Sequence, residues 1–172
     1  MRVAIALGSN LGDRHAHLAF AVAELSRLLT QIRLSSIIES DPQDVPDEQP
    51  RYLNAVVVGK TDLEPEALLE QLMAIERARG RERPSAAPSA PEGRPFAAPG
   101  VSEGKAASLK AARTLDLDIV LYGDRILSTP TLEIPHPRFR DRAFVLVPLA
   151  ELEPDWLDPV TGKSIREMLT GE

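Results

Sequence analysis

The 172-residue chain contains no cysteine and no apolar run long enough to cross a membrane. Without cysteine there can be no disulfide framework and no thiolate zinc site. Residues Val3 to Leu7 are apolar, but they are too few for the hydrophobic region of a signal peptide or for a membrane span. These absences predict a soluble cytoplasmic protein with no membrane partner.

Positive charge is also in deficit, with 20 Lys and Arg against 26 Asp and Glu, a formal net charge of −6. Because binding to a nucleic-acid backbone requires excess basic residues, we expect no nucleic-acid partner. The arginines nevertheless cluster, within residues 77–83 and 138–142, and Arg113 precedes an acidic strand. Such clusters suggest a small polyanionic ligand if they converge in space, and otherwise solvated surface charge.

The periodicity predicts the element order β-α-β-β-α-loop-β, followed by short strands and a helix capped at Thr161 or Ser164. Asp13 is the expected N-cap of the first helix, Pro65 lies in the first turn of the second, and Gly80 suits its end. This order is typical of an α+β, ferredoxin-like βαββαβ core with a C-terminal extension. We expect the helices on one face of an antiparallel sheet, in one domain spanning residues 1–172.

Residues 84–112 consist almost entirely of Ala, Pro, Ser and Gly. Such a segment can bury little apolar surface, so we expect a long mobile loop before the next strand. A loop of this length inside a compact domain is usually functional or disordered.

The segment "RTLDLDIVLYGD" reads as a strand that carries Asp116 and Asp118 two residues apart. The strand period puts both aspartates on one face together with Thr114, Val120 and Tyr122. It puts the apolar side chains on the other face, which we expect to be the core face: Leu115, Leu117, Ile119 and Leu121. Two carboxylates so close require water, arginine or metal as compensation. Carboxylates suit Mg²⁺, and two such ions can clamp a phosphoryl group; an exposed face with solvated aspartates is the alternative.

Two further segments carry weaker signals. "LGSNLGD" lacks the residues of a Walker A or dinucleotide-binding loop, and we interpret it as a strand-to-helix turn. "IPHPRF" holds His136 between two prolines, near three arginines. A lone histidine is more often structural, but this setting favours contact with a phosphate.

Five segments in order resemble 6-hydroxymethyl-7,8-dihydropterin pyrophosphokinase, an enzyme family of folate biosynthesis: "LGSNLGD", "DEQPRYLNAVV", "ERARGRER", "RTLDLDIVLYGD" and "IPHPRFRDRAFVLVPLAE". The resemblance implies transfer of pyrophosphate from ATP to the pterin hydroxymethyl group, with release of AMP, so that the partners are small-molecule substrates. We expect a monomer, because the sequence shows no obvious partner face. The resemblance further implies two Mg²⁺ ions on Asp116 and Asp118, which are catalytic together with Arg83 and Arg113. The resemblance places ATP against Glu76, Arg81, Arg83, Arg113, Ile119 (through its backbone), His136 and Arg142, and the pterin against Ser40, Tyr52, Asn54 and Phe144.

The chain departs from the family at two places. Leu109 to Ala112 stand where the family has Arg-Trp-Gly-Pro, and Asp44 stands where it has glycine. Arg94 and Phe96 could replace the missing arginine and tryptophan. Two other functions are compatible with the sequence: a non-catalytic nucleotide- or metal-binding module of the same fold, and a phosphoryl-transfer enzyme acting on another hydroxymethyl heterocycle.

Overall fold

The computed structural model describes residues 1–43, 48–80 and 113–171. Their strands are β1 (Arg2–Ser9), β2 (Thr30–Leu34), β3 (Ile38–Ser40), β4 (Tyr52–Lys60), β5 (Asp116–Tyr122), β6 (Leu127–Ser128) and β7 (Glu133–Ile134). Their helices are α1 (Arg14–Leu28), α2 (Pro65–Ala78), α3 (Ala143–Leu152) and α4 (Ile165–Thr170), with a 3₁₀ turn at Phe139–Asp141. The expectations for residues 84–112 and for Asp44 fall outside these ranges. No helix of the described ranges is long and apolar enough to span a membrane.

The main sheet is antiparallel, with the strand order β2-β4-β1-β5, and β3 pairs with the other end of β4. β6 and β7 form a separate two-stranded sheet. This is the ferredoxin-like arrangement that the element order predicts. It places β1 in the centre, so that the aspartates of β5 and the polar end of β4 lie on either side of the same strand.

Helices α1 and α2 cover one face of the sheet, as predicted. Leu18 and Leu25 of α1 and Leu68 and Leu72 of α2 are buried in one cluster with the β1 side chains Val3, Ile5 and Leu7. The helix ends also follow the sequence: the Asp13 carboxylate accepts a hydrogen bond from the Ala16 N–H at 3.0 Å, and Gly80 has φ +101°. Ser164 begins α4 with a complete capping box.

Helix α3 lies on the opposite face, so the prediction that the helices share one face is wrong for the C-terminal extension. Val145, Leu146 and Leu149 of α3 are buried with Ala4, Val56, Val58 and Leu121 from the sheet. The run from Leu53 to Gly59 in β4 is buried throughout because the strand has helices on both faces. The apolar run from Ala55 to Val58, which shows no alternation with polar residues, is the signal for a second covered face.

The segment "IRLSSIIES" forms two strands, β2 and β3, and not the single strand that its sequence predicts. Ser35 lies between them and is 5% exposed. Its N–H donates to the Val56 carbonyl at 2.9 Å, and its hydroxyl accepts from the Val56 N–H at 2.9 Å. The serine side chain thereby supplies the acceptor for a buried N–H where the regular strand pairing is interrupted.

A β-bulge in the β1–β5 pairing changes which faces the β5 side chains occupy. Ala4 pairs with Leu121 and Ile5 with Ile119, so that Val120 is the extra residue. The predicted alternation holds through Asp116, Asp118 and Val120, but Leu121 packs on the α3 side and Tyr122 on the α1/α2 side. The assignments of Leu121 and Tyr122 from a strict period of two are therefore wrong.

Candidate active site

A cavity of about 240 Å³ lies on the α3 face of the sheet, where β1, β3, β4 and β5 meet. It brings together most of the site residues that the sequence predicts within the described ranges. Its walls are formed by Ala6, Leu7, Gly8, Ser40, Asp41, Gln43, Tyr52, Asn54, Arg113, Asp116, Asp118, His136, Arg142, Phe144 and Val145. Arg113, Asp116 and Asp118 lie in or just before β5, whereas Ser40, Tyr52 and Asn54 lie in β3 and β4.

The acidic side of the cavity is built on β5. Asp116 lies opposite Gly8 and Asp118 lies opposite Ala6 of the central strand, so small residues leave the space next to both carboxylates open. The two side chains are 29% and 38% exposed. Arg113 Nη1 lies 2.5 Å from Asp116 Oδ1, so one carboxylate already has a charged partner.

The pKa of Asp118 is raised to about 7, chiefly by burial and then by the charge of Asp116. The positive charges of Arg142 and Arg113 oppose this shift. Asp118 therefore carries negative charge at a cost, which a cation at this position would relieve. Two carboxylates on one strand face are the donor set of a hard divalent cation such as Mg²⁺, whose other ligands are water and phosphate oxygens. No group of three or more Asp, Glu or His side chains able to hold a metal occurs in the described part of the chain.

His136 is fixed by two backbone contacts beside the aspartates. Its N–H donates to the Val120 carbonyl at 2.9 Å, and its Nδ1 accepts from the Arg138 N–H at 3.1 Å. Because Nδ1 is an acceptor, the proton of the neutral ring belongs on Nε2, which lies 3.9 Å from Asp118 Oδ2. His136 thus presents a donor at the acidic side of the cavity.

The other side of the cavity has the shape and chemistry of a site for a flat, polar ring. Asn54 Nδ2 donates to the Ser40 hydroxyl at 2.7 Å. A Cβ atom built on Gly8 would meet Asn54 Oδ1 at 3.6 Å and Tyr52 Cδ1 at 3.7 Å, so Gly8 forms the floor between them. Tyr52 and Phe144 are half-buried at the cavity wall, where an aromatic face can stack on a ligand. The guanidinium of Arg142 lies 5.6 Å from the centre of the Phe144 ring and joins the two sides.

Two predicted ATP contacts do not line the cavity. Glu76 of α2 is 4% exposed and its Oε1 accepts from the Leu117 N–H at 2.8 Å, which attaches α2 to β5. The Ile119 side chain is buried on the same α2 side. Arg81 and Arg83 lie outside the described residues, and contact between these four residues and ATP stays a prediction.

The arginines of the described residues divide between structural positions and the cavity wall. Arg140 binds the fully buried Asp158 through two hydrogen bonds of 2.7 and 2.9 Å, because a buried carboxylate requires a charged partner. Arg79 donates to the Ala16 carbonyl at 3.2 Å and lies over the Phe20 ring at 4.8 Å. Both are structural, and of the group at residues 138–142 only Arg142 lines the cavity. Of the three arginines that follow His136 in the sequence, Arg142 lines the cavity, Arg140 pairs with Asp158, and Arg138 donates its backbone N–H to His136 Nδ1.

Several cavity residues escape the sequence reasoning. Ala6 and Gly8 line the cavity although their residue types carry no chemical signature, and Asp41 and Gln43 line it although no motif marks them in the sequence. The alternation of small side chains along β1, at Ala4, Ala6 and Gly8, is the signal that could reveal Ala6 and Gly8, since it leaves space beside a central strand.

The fold places the chain in the ferredoxin-like α+β class, and its cavity combines carboxylate and guanidinium groups with aromatic and amide groups. The family model for 7,8-dihydro-6-hydroxymethylpterin-pyrophosphokinase (HPPK) matches residues 4–92 and 100–154. The chain belongs to this family.

Relatives named 2-amino-4-hydroxy-6-hydroxymethyldihydropteridine pyrophosphokinase occur in several bacteria. The Synechocystis protein is 38% identical over 96% of this chain and 73% of its own length. The Bacillus subtilis protein is 41% identical over 86% of this chain and 75% of its own length. The Pseudomonas aeruginosa protein is 36% identical over 98% of this chain and 90% of its own length.

Solved structures of HPPK-DHPS proteins share the fold. One, in complex with substrates, superposes with a TM-score of 0.68 at 13% identity, covering 99% of this chain and 43% of that one. Wild-type Plasmodium falciparum HPPK-DHPS gives a TM-score of 0.67 at 14% identity, covering 99% of this chain and 44% of that one. The chain therefore spans less than half of these solved chains, and the likeness concerns the fold alone.

Proposed function

We propose that this protein transfers a pyrophosphoryl group from ATP to the hydroxymethyl group of 6-hydroxymethyl-7,8-dihydropterin, giving the pterin diphosphate and AMP in folate biosynthesis. The observation that carries the proposal is that one cavity contains both sets of side chains. It places Tyr52, Asn54 and Phe144 beside Asp116, Asp118 and Arg113, so that a ring held on one side points its substituent at phosphates held on the other.

The ring side of the cavity, formed by Ser40, Tyr52, Asn54 and Phe144, would recognise the pterin. Asn54 holds Ser40 with its amide nitrogen, which leaves the amide oxygen next to Gly8 as an acceptor for the edge of a pterin. Tyr52 and Phe144 offer aromatic faces, and Ser40 supplies a further polar atom at the rim. A pterin presents a planar ring with donors and acceptors along its edge, which this set of groups complements.

The phosphate side of the cavity, formed by Arg113, Asp116, Asp118, His136 and Arg142, would position the phosphates and balance their charge. Asp116 and Asp118 would hold two Mg²⁺ ions, which when bound neutralise the phosphate oxygens and stabilise the charge that develops during transfer. Arg113 and Arg142 would bind phosphate oxygens, with Arg81 and Arg83 added from the neighbouring segment. Phosphoryl transfer depends mostly on such positioning and electrostatics, so the residues at hand are sufficient without a covalent intermediate.

We assign no described residue of the cavity the role of a dedicated general base, because Asp118 would be engaged by Mg²⁺. Asp116 is paired with Arg113, and His136 uses Nδ1 as an acceptor and therefore presents a protonated Nε2. We assign His136 the role of donating a hydrogen bond to a phosphate oxygen. Glu76 accepts a hydrogen bond from the Leu117 N–H and so attaches α2 to β5 at the site. Contact of the Ile119 backbone with the nucleotide would complete the proposed ATP site.

One assay tests the function. The purified protein is incubated with ATP, Mg²⁺ and the reduced pterin, and the nucleotides are separated by chromatography. Production of AMP and pterin diphosphate in equal amounts supports the proposal, whereas ADP indicates simple phosphorylation and no turnover indicates a binding module. Parallel reactions without pterin, and with another hydroxymethyl heterocycle, separate ATP hydrolysis and a different acceptor.

We also propose that the chain acts as a monomeric single domain in the cytoplasm, and light scattering tests the oligomeric state.

A further inference from the structure

Asn10 is a buried polar residue in the turn between β1 and α1, and it is 1% exposed. It does not line the cavity, yet it contacts the segments that lead into both sides of it. A buried carboxamide requires partners for its oxygen and its nitrogen, and the arrangement of those partners indicates what it holds together.

The first contact is to the backbone of Arg113. The Asn10 N–H donates to the Arg113 carbonyl at 3.2 Å, and Asn10 Oδ1 accepts from the Arg113 N–H at 2.9 Å. Both backbone groups of Arg113 are thus bound by one residue. These bonds extend the β1–β5 pairing beyond Gly8 and Asp116 and fix the residue whose guanidinium lies 2.5 Å from Asp116.

The second contact is to the segment before β4. Asn10 Nδ2 donates to Gln49 Oε1 at 3.3 Å and to the Pro50 carbonyl at 3.4 Å. Two residues after Pro50 the chain reaches Tyr52, the aromatic side chain of the ring side. The acceptor end of the amide therefore meets an N–H and the donor end meets two oxygens, which fixes the orientation of the Asn10 side chain.

We propose that Asn10 is a positioning residue that sets the distance between the phosphate side and the ring side of the active site. This inference rests on the proposed function. Asn10 acts through Arg113, whose position it fixes, and through the approach of the chain to Tyr52. A change of about 1 Å in the position of a reacting group can cost about a hundredfold in rate, so the loss of such a clamp is measurable.

The test is a double-mutant cycle of Asn10→Ala and Arg113→Ala, measured as single turnovers with enzyme in excess over ATP. Asn10→Ala alone should lower the transfer rate about 10- to 100-fold. In the Arg113→Ala background the same change should lower it less than about threefold, because the side chain that Asn10 positions is absent. The proposal would be overturned if Asn10→Ala lowered the rate by the same factor with and without the Arg113 side chain. A near-native rate for Asn10→Ala alone would also overturn it.

A matched control separates positioning from general loss of stability. Thr61 is a buried polar residue at the opposite end of the sheet, 4% exposed, and its hydroxyl accepts from the Leu63 N–H at 3.1 Å. Thr61→Ala should lower the thermal stability as Asn10→Ala does and leave the transfer rate within about twofold of the original. An equal loss of rate in both variants would assign Asn10 a merely structural role.

Hydrogen exchange gives a second measurement that does not depend on turnover. The Arg113 amide should lose protection in Asn10→Ala and keep it in Thr61→Ala, since the Asn10 oxygen is its acceptor. Unchanged protection of this amide in Asn10→Ala would refute the clamp. If the original protein makes no AMP while the exchange result is as expected, the proposed function fails and the clamp on Arg113 stands.

Discussion

Replacing Asp118 by asparagine should stabilise the metal-free protein while it abolishes transfer. A pKa raised from 3.8 to about 7 corresponds to about 4 kcal/mol of unfavourable free energy when the carboxylate is ionised. Because 38% of the side chain is exposed, solvent screens part of this, and we expect a gain of about 1–2 kcal/mol. For a chain of this length that gain raises Tm by roughly 2–8 °C.

The pH dependence of this gain has a definite sign. The folded state holds the Asp118 proton more tightly than the unfolded state does, so the original protein loses stability as the pH rises from about 4 through about 7. The difference in Tm between Asp118→Asn and the original protein should therefore be near zero at pH 4 and largest at pH 8. Calorimetry in the presence of a chelator measures it.

Asp116→Asn is the matched comparison, because it makes the same change on the same strand face. Asp116 lies 2.5 Å from Arg113, so this variant loses an ion pair and its gain in Tm should be smaller. A Tm difference for Asp118→Asn that is absent at pH 8, or equal at pH 4 and pH 8, would refute the argument that Asp118 is destabilised by burial and by its neighbour.

Three further changes test the assignments within the cavity. Arg113→Lys should lower the rate about a hundredfold, since an ammonium group cannot replace the planar fork; a fully active variant would reduce Arg113 to bulk charge. His136→Gln should raise KM for ATP about tenfold with little change in kcat; a collapse of kcat at saturating ATP, rescued by imidazole, would indicate a proton-transfer role. Gly8→Ala should keep its Tm, because the added Cβ meets its neighbours at 3.6 Å and beyond, and should raise KM for the pterin about tenfold but not KM for ATP. If Gly8→Ala and the original protein had equal KM values for the pterin, the ring would not lie over Gly8.

The sequence predicts the parts of the fold that depend on local rules. The caps at Asp13 and Ser164, the proline at the start of α2 and the positive φ at Gly80 are all read from single residues and their spacing. The element order then leads to the ferredoxin-like arrangement, because few topologies are compatible with it.

The features that the sequence does not predict depend on partners distant along the chain. The bulge at Val120 arises from the β1–β5 register, and the break at Ser35 is completed by the backbone of Val56. A strict alternation cannot contain either. The same holds for Arg140, whose role is decided by Asp158, eighteen residues further on.

The candidate site shows the same division. The residues with a chemical signature, such as Asp116, Asp118 and His136, are found from their types and their spacing and do line the cavity. Gly8 and Asn10 lack such a signature, since a glycine and a buried amide have ordinary structural uses. Their importance follows only from what lies opposite them once β1 is in the centre of the sheet.

The two hydrogen bonds between Asn10 and the Arg113 backbone also make the position of β5 independent of the length of the chain that precedes it. Residues 81–112 join Gly80 to Arg113, and the family match is itself interrupted there, at residues 93–99. Since Arg113 is held by Asn10 and Leu117 by Glu76, insertion or deletion of residues within this connection need not shift the aspartates. We therefore expect that the connection can differ in length between relatives while the strand that carries the acidic pair keeps its register.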